Sequence, residues 1–463
     1  MNESKEHKQN EAECIGDMID GISSLPDCIL HHILSFLPTT EVVKTSILSK
    51  RWKNLWASVS NIDFDDSLLY ASEMDGRRPP EVTSFMNFVD RVLRLRDASS
   101  LEKFRLSCRI CFDASRIHSW ISDAILHNVR ELDLCLLAGD TFVIPRSMFD
   151  GTSLVSLKIE MNCVINLPSL ISFPCLKILH LALVTFLNDS STEKLFSGCP
   201  VLEELVLLDC EWMNLKNVVI CSSTLKSLTI DDLPSFGQLD DPTGCKLIVD
   251  TINLTYLEYI GYLSNEIFLN NLPSLVEACI HIPIPHVRQK EVALRAVDLL
   301  KSLRYVVSLR VSNRTLESLI TAESMVDHFP VFSNLGHLML TMEVGNYTLG
   351  AVMDLLTLCP TLQSLSLSEG FELCMRIGEN SPIWLSIPIC MSYHLKAMTF
   401  KNFHANDSEI CFLKCILKYA CVLEKLDIWW CKTPLFDLKK QSYVRKELKM
   451  VDRSRTPCVI TFF

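Results

Sequence analysis

A short leucine pattern, L-x-x-L-x-L, recurs along most of this chain and constrains its fold more than any other feature. Clear copies begin at Leu154, Leu176, Leu202, Leu225, Leu335, Leu362 and Leu423, and weaker copies begin at Leu101, Val129, Leu254, Leu275, Val306 and Leu395. Successive copies start 21 to 33 residues apart. Each unit supplies one strand and one returning segment, and neither can bury its apolar side alone. The pattern therefore predicts an α/β fold in which stacked leucine-rich repeats form a solenoid with a curved, parallel β-sheet.

The positions between the leucines are predicted to face outward on the concave side of that sheet. They differ from repeat to repeat, as a recognition surface requires. The candidate target-binding residues are Glu203, Glu204, Val206, Lys226, Ser227, Thr229, Gln363, Ser364 and Ser366. The simpler alternative for each of them is solvated surface without a ligand.

Two segments interrupt the repeat spacing and are further candidates for target contact, because loops inserted in a solenoid often line its working face. The first spans residues 231–246 and the second spans residues 281–303. The second segment contains a predicted helix whose apolar residues are Val292, Val297, Leu300 and Leu303.

The overall composition narrows the class of partner and the compartment. The 463 residues carry a formal charge of −11, which argues against a surface built to bind a nucleic-acid backbone. The N-terminus is polar and lacks a signal-peptide core, and no apolar stretch is long enough to span a bilayer. Cysteine, at 20 residues, is well below the density of a disulfide scaffold. We expect a protein of the reducing cytoplasm, the nucleus or both, with free thiols.

The N-terminal region predicts a different module, made of three short helices. Apolar residues from Leu25 to Leu37 recur at steps of three and four, and Pro26 and Asp27 suit a first helical turn. A second helix is expected after Thr40 with Val42, Val43 and Ile47 inward, and a third after Ser49. Three helices in so few residues make a very small core, so this module is expected to need a partner that covers leftover apolar surface.

This segment resembles an F-box through Leu25-Pro26-Asp27, Ile29-Leu30, Ile33-Leu34, Leu37-Pro38, Ser49-Lys50-Arg51-Trp52 and Leu55-Trp56. In that family the corresponding face docks on a Skp-family adaptor, which bridges to a cullin scaffold. The resemblance implies adaptor contacts from Leu25, Pro26, Ile29, Ile33, Leu34, Leu37, Pro38, Val43 and Trp52. The alternative is that several of these, Trp52 especially, only hold the helices together.

The rest of the chain is similar to the plant F-box/FBD/leucine-rich-repeat proteins. The resemblance rests on segments such as Phe85–Leu93, Leu101–Leu106, Pro388–Cys390 and Pro457–Phe462. It implies a disordered tail at 1–16, an F-box at 17–64, a linker at 65–82, repeats at 83–385 and an FBD domain at 386–463. The FBD-like part departs from the family in having Asn406-Asp407-Ser408-Glu409 where an acidic run is usual. Its expected role is to cap the open end of the solenoid.

The family resemblance implies a non-catalytic, substrate-recognition subunit of an SCF-type cullin ubiquitin ligase. The F-box would hold the adaptor and the repeats a target protein, for ubiquitination and degradation. A non-degradative interaction scaffold and a small-molecule co-receptor remain alternatives. We find no phosphate-binding loop or hydrolase motif. Cys108 and Cys111 have metal-ligand spacing but no second pair, so structural burial is the better interpretation. No cofactor, metal, nucleic-acid or membrane partner is predicted.

Overall fold

The chain is divided into two compact units, the first ending at Met161 and the second beginning at Asn162. The computed structural model describes residues 22–67, 82–97, 101–109, 113–137, 141–165, 167–168, 171–212, 214–233, 244–283, 288–320, 330–341, 346–347, 349–368, 372–373, 387–431, 438–451 and 458–463. The predicted tail at 1–16 and most of the predicted linker at 65–82 lie outside the described residues.

The first unit opens with a small helical module. Its elements are α1 (Asp27–Leu34), α2 (Thr39–Lys44) and two 3-10 helices, Thr45–Ile47 and Leu55–Ser58. Pro26 directly precedes α1 and Asp27 begins it, as predicted. The module buries six apolar side chains in one cluster, namely Leu30, Leu34, Val42, Trp52, Leu55 and Val59.

Three details of the module differ from the prediction. Helix α1 ends before Pro38, which instead precedes α2, so α2 begins at Thr39 rather than after Thr40. The third helical segment is only a 3-10 turn, Leu55–Ser58. The inward placement of Ile47 was wrong, because its side chain is 85% exposed. The chain changes from α to 3-10 geometry after Lys44, and the tighter winding rotates Ile47 away from the inner stripe.

A parallel sheet completes the first unit. Its strands are β1 (Asn61–Asp65), β2 (Lys103–Cys108), β3 (Glu131–Leu136), β4 (Phe142–Val143) and β5 (Ser156–Ile165), whose last four residues lie beyond the end of the unit. The accompanying helices are α3 (Val82–Leu95), α4 (Ala114–Leu126) and the 3-10 helix Arg146–Asp150. Strands β1, β2, β3 and β5 pair successively in parallel. The sheet therefore begins at β1, before the predicted end of the F-box at residue 64.

The second unit extends the same strand pattern through eleven strands among the described residues. They are β6 (Ile178–Phe186), β7 (Glu204–Leu208), β9 (Ser227–Asp232), β11 (Tyr256–Gly261), β13 (Glu277–His281), β14 (Ser308–Ser312), β15 (His337–Thr341), β17 (Ser364–Leu367), β19 (Ala397–Phe403), β20 (Lys425–Trp430) and β21 (Val459–Phe462). Each pairs in parallel with the next. The second and third leucines of each copy, such as Leu205 and Leu207, are buried. The predicted α/β class with parallel sheets is confirmed.

The segments that return between these strands are of two kinds. Some contain short strands, β8 (Asn217–Cys221), β10 (Lys246–Asp250), β12 (Glu266–Asn270), β16 (Asn346–Tyr347) and β18 (Glu372–Leu373). Others contain helices, α5 (Asp189–Ser197), α6 (Gln289–Ser302), α7 (Asn313–Ile320), α8 (Leu349–Thr357), α9 (Ile389–Tyr393), α10 (Asp407–Tyr419) and α11 (Leu438–Lys449). In the described part of the chain, none of the helices has the length and apolar character needed to cross a bilayer.

These two kinds of return explain the uneven repeat spacing. Where β12 returns the chain, only 21 residues separate the first residues of β11 and β13. Where α6 returns it, 31 residues separate the first residues of β13 and β14. A strand advances about 3.3 Å per residue and a helix about 1.5 Å, so a helical return requires more residues for the same span. The predicted helix in segment 281–303 is therefore α6, and Val292, Val297, Leu300 and Leu303 are all buried. Residues 234–243 of the other segment lie outside the described residues.

A polar cluster at the end of β11 joins three repeats. The indole Nε1 of Trp212 donates a hydrogen bond to Asp232 Oδ1 at 2.8 Å, and Asn265 Nδ2 donates to Oδ2 at 2.8 Å. Burial raises the pKa of Asp232 to about 6, while the two donors act in the opposite direction. Gly261, at φ 156°, lies against this cluster, and a Cβ there would approach Asp232 Cβ and Tyr259 Oη at 2.8 Å. The close approach requires glycine at this position.

We expect Gly261→Ala to destabilise the protein by roughly 2–4 kcal/mol, because the added methyl group overlaps both neighbours in an unfavourable backbone conformation. Gly336→Ala is the matched control, since a Cβ there meets only the Val307 carbonyl oxygen at 3.8 Å. Urea denaturation followed by circular dichroism measures both variants. Equal midpoints for the two variants would contradict the steric explanation.

The Asp232 pKa also predicts a pH dependence of stability. Because its pKa of about 6 lies above the ordinary value of 3.8, the folded state holds the proton more tightly than the unfolded chain. The carboxyl therefore lowers the unfolding free energy progressively from about pH 4 to pH 6, and the full loss persists above that range. Relative to Asp232→Asn, the wild type should lose about 2–3 kcal/mol between pH 4 and pH 7. If the unfolding free energies of the wild type and Asp232→Asn, measured by urea denaturation, change equally between pH 4 and pH 7, Asp232 does not contribute this pH dependence.

Candidate partner-binding surfaces

The helical module exposes six large apolar side chains, which we call the F-box patch: Ile29, Ile33, Phe36, Leu37, Ile47 and Leu48. Phe36 is 75% exposed and Ile47 is 85% exposed. The other four members are between 40% and 65% exposed. So many exposed large apolar side chains within so short a segment are typical of a surface that another protein covers. The patch is therefore a surface suited to burial against another protein.

The sequence of α1 explains why the patch exists. Leu30 and Leu34 are four residues apart and point into the core, whereas Ile29 and Ile33 form a second apolar stripe beside them. Neighbouring positions on a helix are rotated by about 100°, so both stripes cannot face the same small core. The module buries the first stripe and leaves the second exposed.

The structure divides the nine predicted adaptor-binding residues into three groups. Pro26, Ile29, Ile33, Leu37 and Pro38 are exposed, and Leu25 and Val43 are partly exposed. Leu34 and Trp52 are buried in the core. For these two the predicted direct contact is corrected: an inaccessible side chain supports the surface from beneath, and Trp52 also donates a hydrogen bond to Ser23 Oγ at 2.8 Å. Adaptor contact by the other seven stays a prediction.

Sequence reasoning missed three members of the patch. Phe36 lies outside the apolar stripe of α1, because it follows the last residue of that helix by two positions. Ile47 and Leu48 lie after α2, where the helical spacing is lost. A useful signal was available, because the run Ser46-Ile47-Leu48-Ser49 places two large apolar residues between polar residues.

Hydrogen bonds connect the helical module to the first strand and to the segments around it. The backbone N–H of Asp63 in β1 donates to Thr39 Oγ1, at the start of α2, at 2.8 Å. The Ser58 hydroxyl donates to Asp97 at 2.6 Å, and the Glu102 N–H donates to the Ser60 carbonyl oxygen at 2.9 Å. These bonds place the F-box patch and the first strands in one compact unit.

The face of the second unit's sheet that lies opposite its leucine core presents rows of side chains in register. One row runs through Glu204, Ser227, Tyr256, Glu277, Ser308, His337 and Ser364. The next row runs through Val206, Thr229, Glu258, Cys279, Arg310, Met339 and Ser366. Glu203, Lys226 and Gln363 directly precede the strands that contribute to these rows. Six of the nine predicted target-binding positions are therefore on one sheet surface, the other three lie just before its strands, and all nine are exposed or partly exposed.

These nine residues form two separate groups. Six lie on the neighbouring strands β7 and β9 or directly before them, while Ser364 and Ser366 lie on β17 and Gln363 directly precedes it. Strands β11, β13, β14 and β15 separate the groups. At about 4.8 Å between strands, β9 and β17 are roughly 24 Å apart. A single small ligand cannot reach both groups, whereas a protein surface can.

Charged side chains in the first group pair with each other. Glu203 contacts Lys177 at 2.8 Å and Lys226 at 2.6 Å, and these hydrogen-bonded lysines lower the pKa of its carboxyl to about 2. Glu204 lies 2.6 Å from His180 Nε2. These pairs are solvent-exposed, so they contribute more to specificity than to stability.

The strands between the two groups carry face residues that sequence reasoning missed. Tyr256 donates a hydrogen bond to Glu258 at 3.0 Å, and Arg310 lies 3.8 Å from Glu277. Burial, together with that bond, raises the pKa of the Tyr256 hydroxyl. The weaker repeat copies could have identified these face residues. Each of them follows the first apolar residue of its copy by two or four positions.

The buried thiols among the described residues lack the environment of a reactive nucleophile. Burial raises the pKa of Cys199 and of Cys210 to about 12, and it raises the pKa of Cys108 as well. Thiols with raised pKa values carry little thiolate at neutral pH. Cys111 of the weighed Cys108 pair lies outside the described residues. Within the ranges that the structure covers, no group of three His, Cys, Asp or Glu residues is arranged to hold a metal ion.

The C-terminal part continues the sheet through β19, β20 and β21. The Asn406–Glu409 segment, where an acidic run was expected, forms a capping box at the start of α10. The Glu409 N–H donates to Asn406 Oδ1 at 2.8 Å, and the Asn406 N–H donates back to Glu409 Oε2 at 3.2 Å. Two of the otherwise unpaired donors at the helix start are thereby satisfied.

Family models match three regions of the chain. The F-box domain matches residues 22–63, the leucine-rich repeats described for the FBD-associated F-box protein At5g56370 match residues 117–276, and FBD matches residues 384–428. These matches follow the predicted order of modules.

Relatives from Arabidopsis thaliana extend over most of the chain. F-box/LRR-repeat protein At4g14096 is 36% identical over 354 residues, 75% of this chain and 72% of that protein. F-box protein At3g59000 is 33% identical over 449 residues, which cover 89% and 87% of the two chains. Putative F-box protein At3g58860 is 30% identical over 459 residues, 96% of each chain. On this evidence the chain belongs to the plant family of F-box/FBD/leucine-rich-repeat proteins.

Proposed function

We propose that this protein is a substrate-recognition subunit of an SCF-type cullin ubiquitin ligase. The F-box patch is the observation that carries the proposal: large apolar side chains remain exposed on a module that matches the F-box family. A Skp-family adaptor is the partner for such a module, and the cullin is reached only through the adaptor. The rows on the sheet face supply the surface for a target protein.

In this mechanism the chain binds two proteins and catalyses no bond change itself. A ubiquitin-conjugating enzyme recruited elsewhere in the complex meets lysines of the bound target at high effective concentration. The hydrogen bond between Thr39 of the helical module and Asp63 of β1 supports this role, because it limits motion between the adaptor-binding patch and the first strands. We propose the cytoplasm, the nucleus or both as its compartment.

The F-box patch predicts a loss of adaptor binding on charge substitution. Phe36→Glu and Ile47→Glu should each weaken binding to a plant Skp adaptor at least roughly tenfold, because the carboxylate would have to be desolvated in the interface. Isothermal titration calorimetry with the full-length protein measures the affinity. Leu126→Glu is the matched control, since Leu126 is 78% exposed at the end of α4 and lies outside the patch. Folded wild-type protein without adaptor affinity would leave only the scaffold alternative.

The hydrogen bond between Thr39 and Asp63 predicts an effect on the stability of β1 that can be measured without the adaptor. Thr39→Val should weaken protection of the β1 amides by about 1 kcal/mol or more, because the Asp63 N–H would lose its acceptor. Thr39→Ser keeps the hydroxyl and should retain protection. Hydrogen exchange read by mass spectrometry over residues 61–65 distinguishes the two variants. Unchanged exchange in Thr39→Val would show that this bond does not hold the module to the sheet.

The target partners can be identified by affinity purification under proteasome inhibition, with and without residues 22–58, a deletion that leaves β1 in place. Proteins retained by both forms are candidates for binding to the repeats, and proteins lost with the deletion are candidates for ligase subunits. A target that accumulates without becoming ubiquitinated when the F-box is present would favour the non-degradative scaffold.

A further inference from the structure

A second binding surface arises where the small sheet of the second unit ends. Strands β8, β10 and β12 are parallel neighbours, and Val218, Leu247 and Ile267 share one register row. Val218 and Leu247 are buried, whereas Ile267 and also Leu269 on β12 are only half-buried. Among the described residues no further strand extends this sheet beyond β12, because α6 follows in the next repeat. The apolar side of β12 is therefore incompletely covered.

A groove of about 700 Å³ lies beside this uncovered end. Its apolar part is formed by Ile252, Leu269, Leu272 and Pro273, and the end of α6 with the turn after it supplies Lys301, Arg304 and Tyr305. Ile252 is 50% exposed and Tyr305 is 59% exposed. A concave site with an apolar floor and a few polar groups at its border is typical of a binding site.

The charge of the groove is positive although the whole chain carries −11. No Asp or Glu is among its lining residues. Lys301 is paired with Asp298 at 3.0 Å. The Arg304 guanidinium lies 4.7 Å from the centre of the Tyr305 ring, and none of the ion pairs among the described residues involves it. Arg304 thus presents a cation whose hydrogen-bond donors are available to a carboxylate.

We propose that this groove docks an acidic, apolar peptide segment of a partner protein. A carboxylate of the segment accepts hydrogen bonds from Arg304, and leucine or phenylalanine side chains pack on Ile252 and Tyr305. Aromatic and arginine side chains next to each other in a concave, apolar site are the combination that dominates protein interfaces. The site is separate from the F-box patch, and its test does not depend on adaptor binding.

The test uses the full-length protein and fluorescein-labelled synthetic peptides in which Asp or Glu alternates with Leu or Phe. Matched peptides carry Lys or Ser in place of the acidic residues. Fluorescence anisotropy should show binding of the acidic peptide and a loss of at least roughly tenfold in Arg304→Glu and in Tyr305→Ala. Arg94→Glu, at an exposed position of α3 outside the groove, should bind like the wild type. The Lys peptide should gain affinity for Arg304→Glu, because the charges are then complementary again.

Three outcomes would overturn the proposal. One is equal binding of the acidic and Lys peptides to the wild type, and another is an equal loss in Arg94→Glu and Arg304→Glu. The third is saturable binding of decanoate, measured by isothermal titration calorimetry, together with no binding of any peptide, which would identify the occupant as a small amphipathic acid. Adaptor affinity of Arg304→Glu is measured in parallel and should be unchanged. Failure of the groove and failure of the proposed ligase role can therefore be distinguished.

Discussion

The lateral packing of one strand against the next is the constraint on which this structure depends. Leu205, Leu228 and Leu257 are directly aligned across β7, β9 and β11, and each is buried only because its neighbours are present. A strand shifted by one residue would turn its leucines into water, so the register is strongly specified. The same register aligns the residues between the leucines into rows on the opposite face. The strand register therefore explains both the repeated leucines in the core and the rows of variable residues on the opposite face.

The helical module covers part of the open edge of β1, the first strand of the sheet. Strand β1 has no strand on its other side among the described residues, and an open edge leaves backbone donors unpaired. The Thr39 hydroxyl accepts one of these donors, that of Asp63, and is itself buried. Edge protection and attachment of the F-box patch are therefore achieved by the same contact. Under the proposed function, this contact also limits how far a bound adaptor can move relative to the first repeats.

The sequence allowed the strands to be predicted well because their signal is local and redundant. Even the degenerate copy Leu275-x-x-Ala278-x-Ile280 forms a strand, since its neighbours impose the pairing. Val59-x-x-Ile62-x-Phe64 leads into β1 in the same way, but it was hidden within the predicted F-box. Burial within the N-terminal helical module was harder to predict from the sequence, because Leu34 and Ile33 are adjacent and similarly apolar. Only the packing determines which of the two is buried, and the same holds for Trp52.

The segments that return between the strands could not be predicted in detail from the leucine pattern, and they are also where binding specificity can arise. Strand β12 and helix α6 occupy successive repeats, yet the leucine pattern that precedes each of them is nearly the same. The choice between strand and helix changes the length of the return and the side chains available to cover the neighbouring repeat. At that change Leu269 is only half-buried and Tyr305 is exposed, and a groove opens between them. Deviation from the repeat thus creates a groove that a regular succession of repeats would not contain, so such deviations are a second place, besides the sheet face, where partner recognition in this fold can be sought.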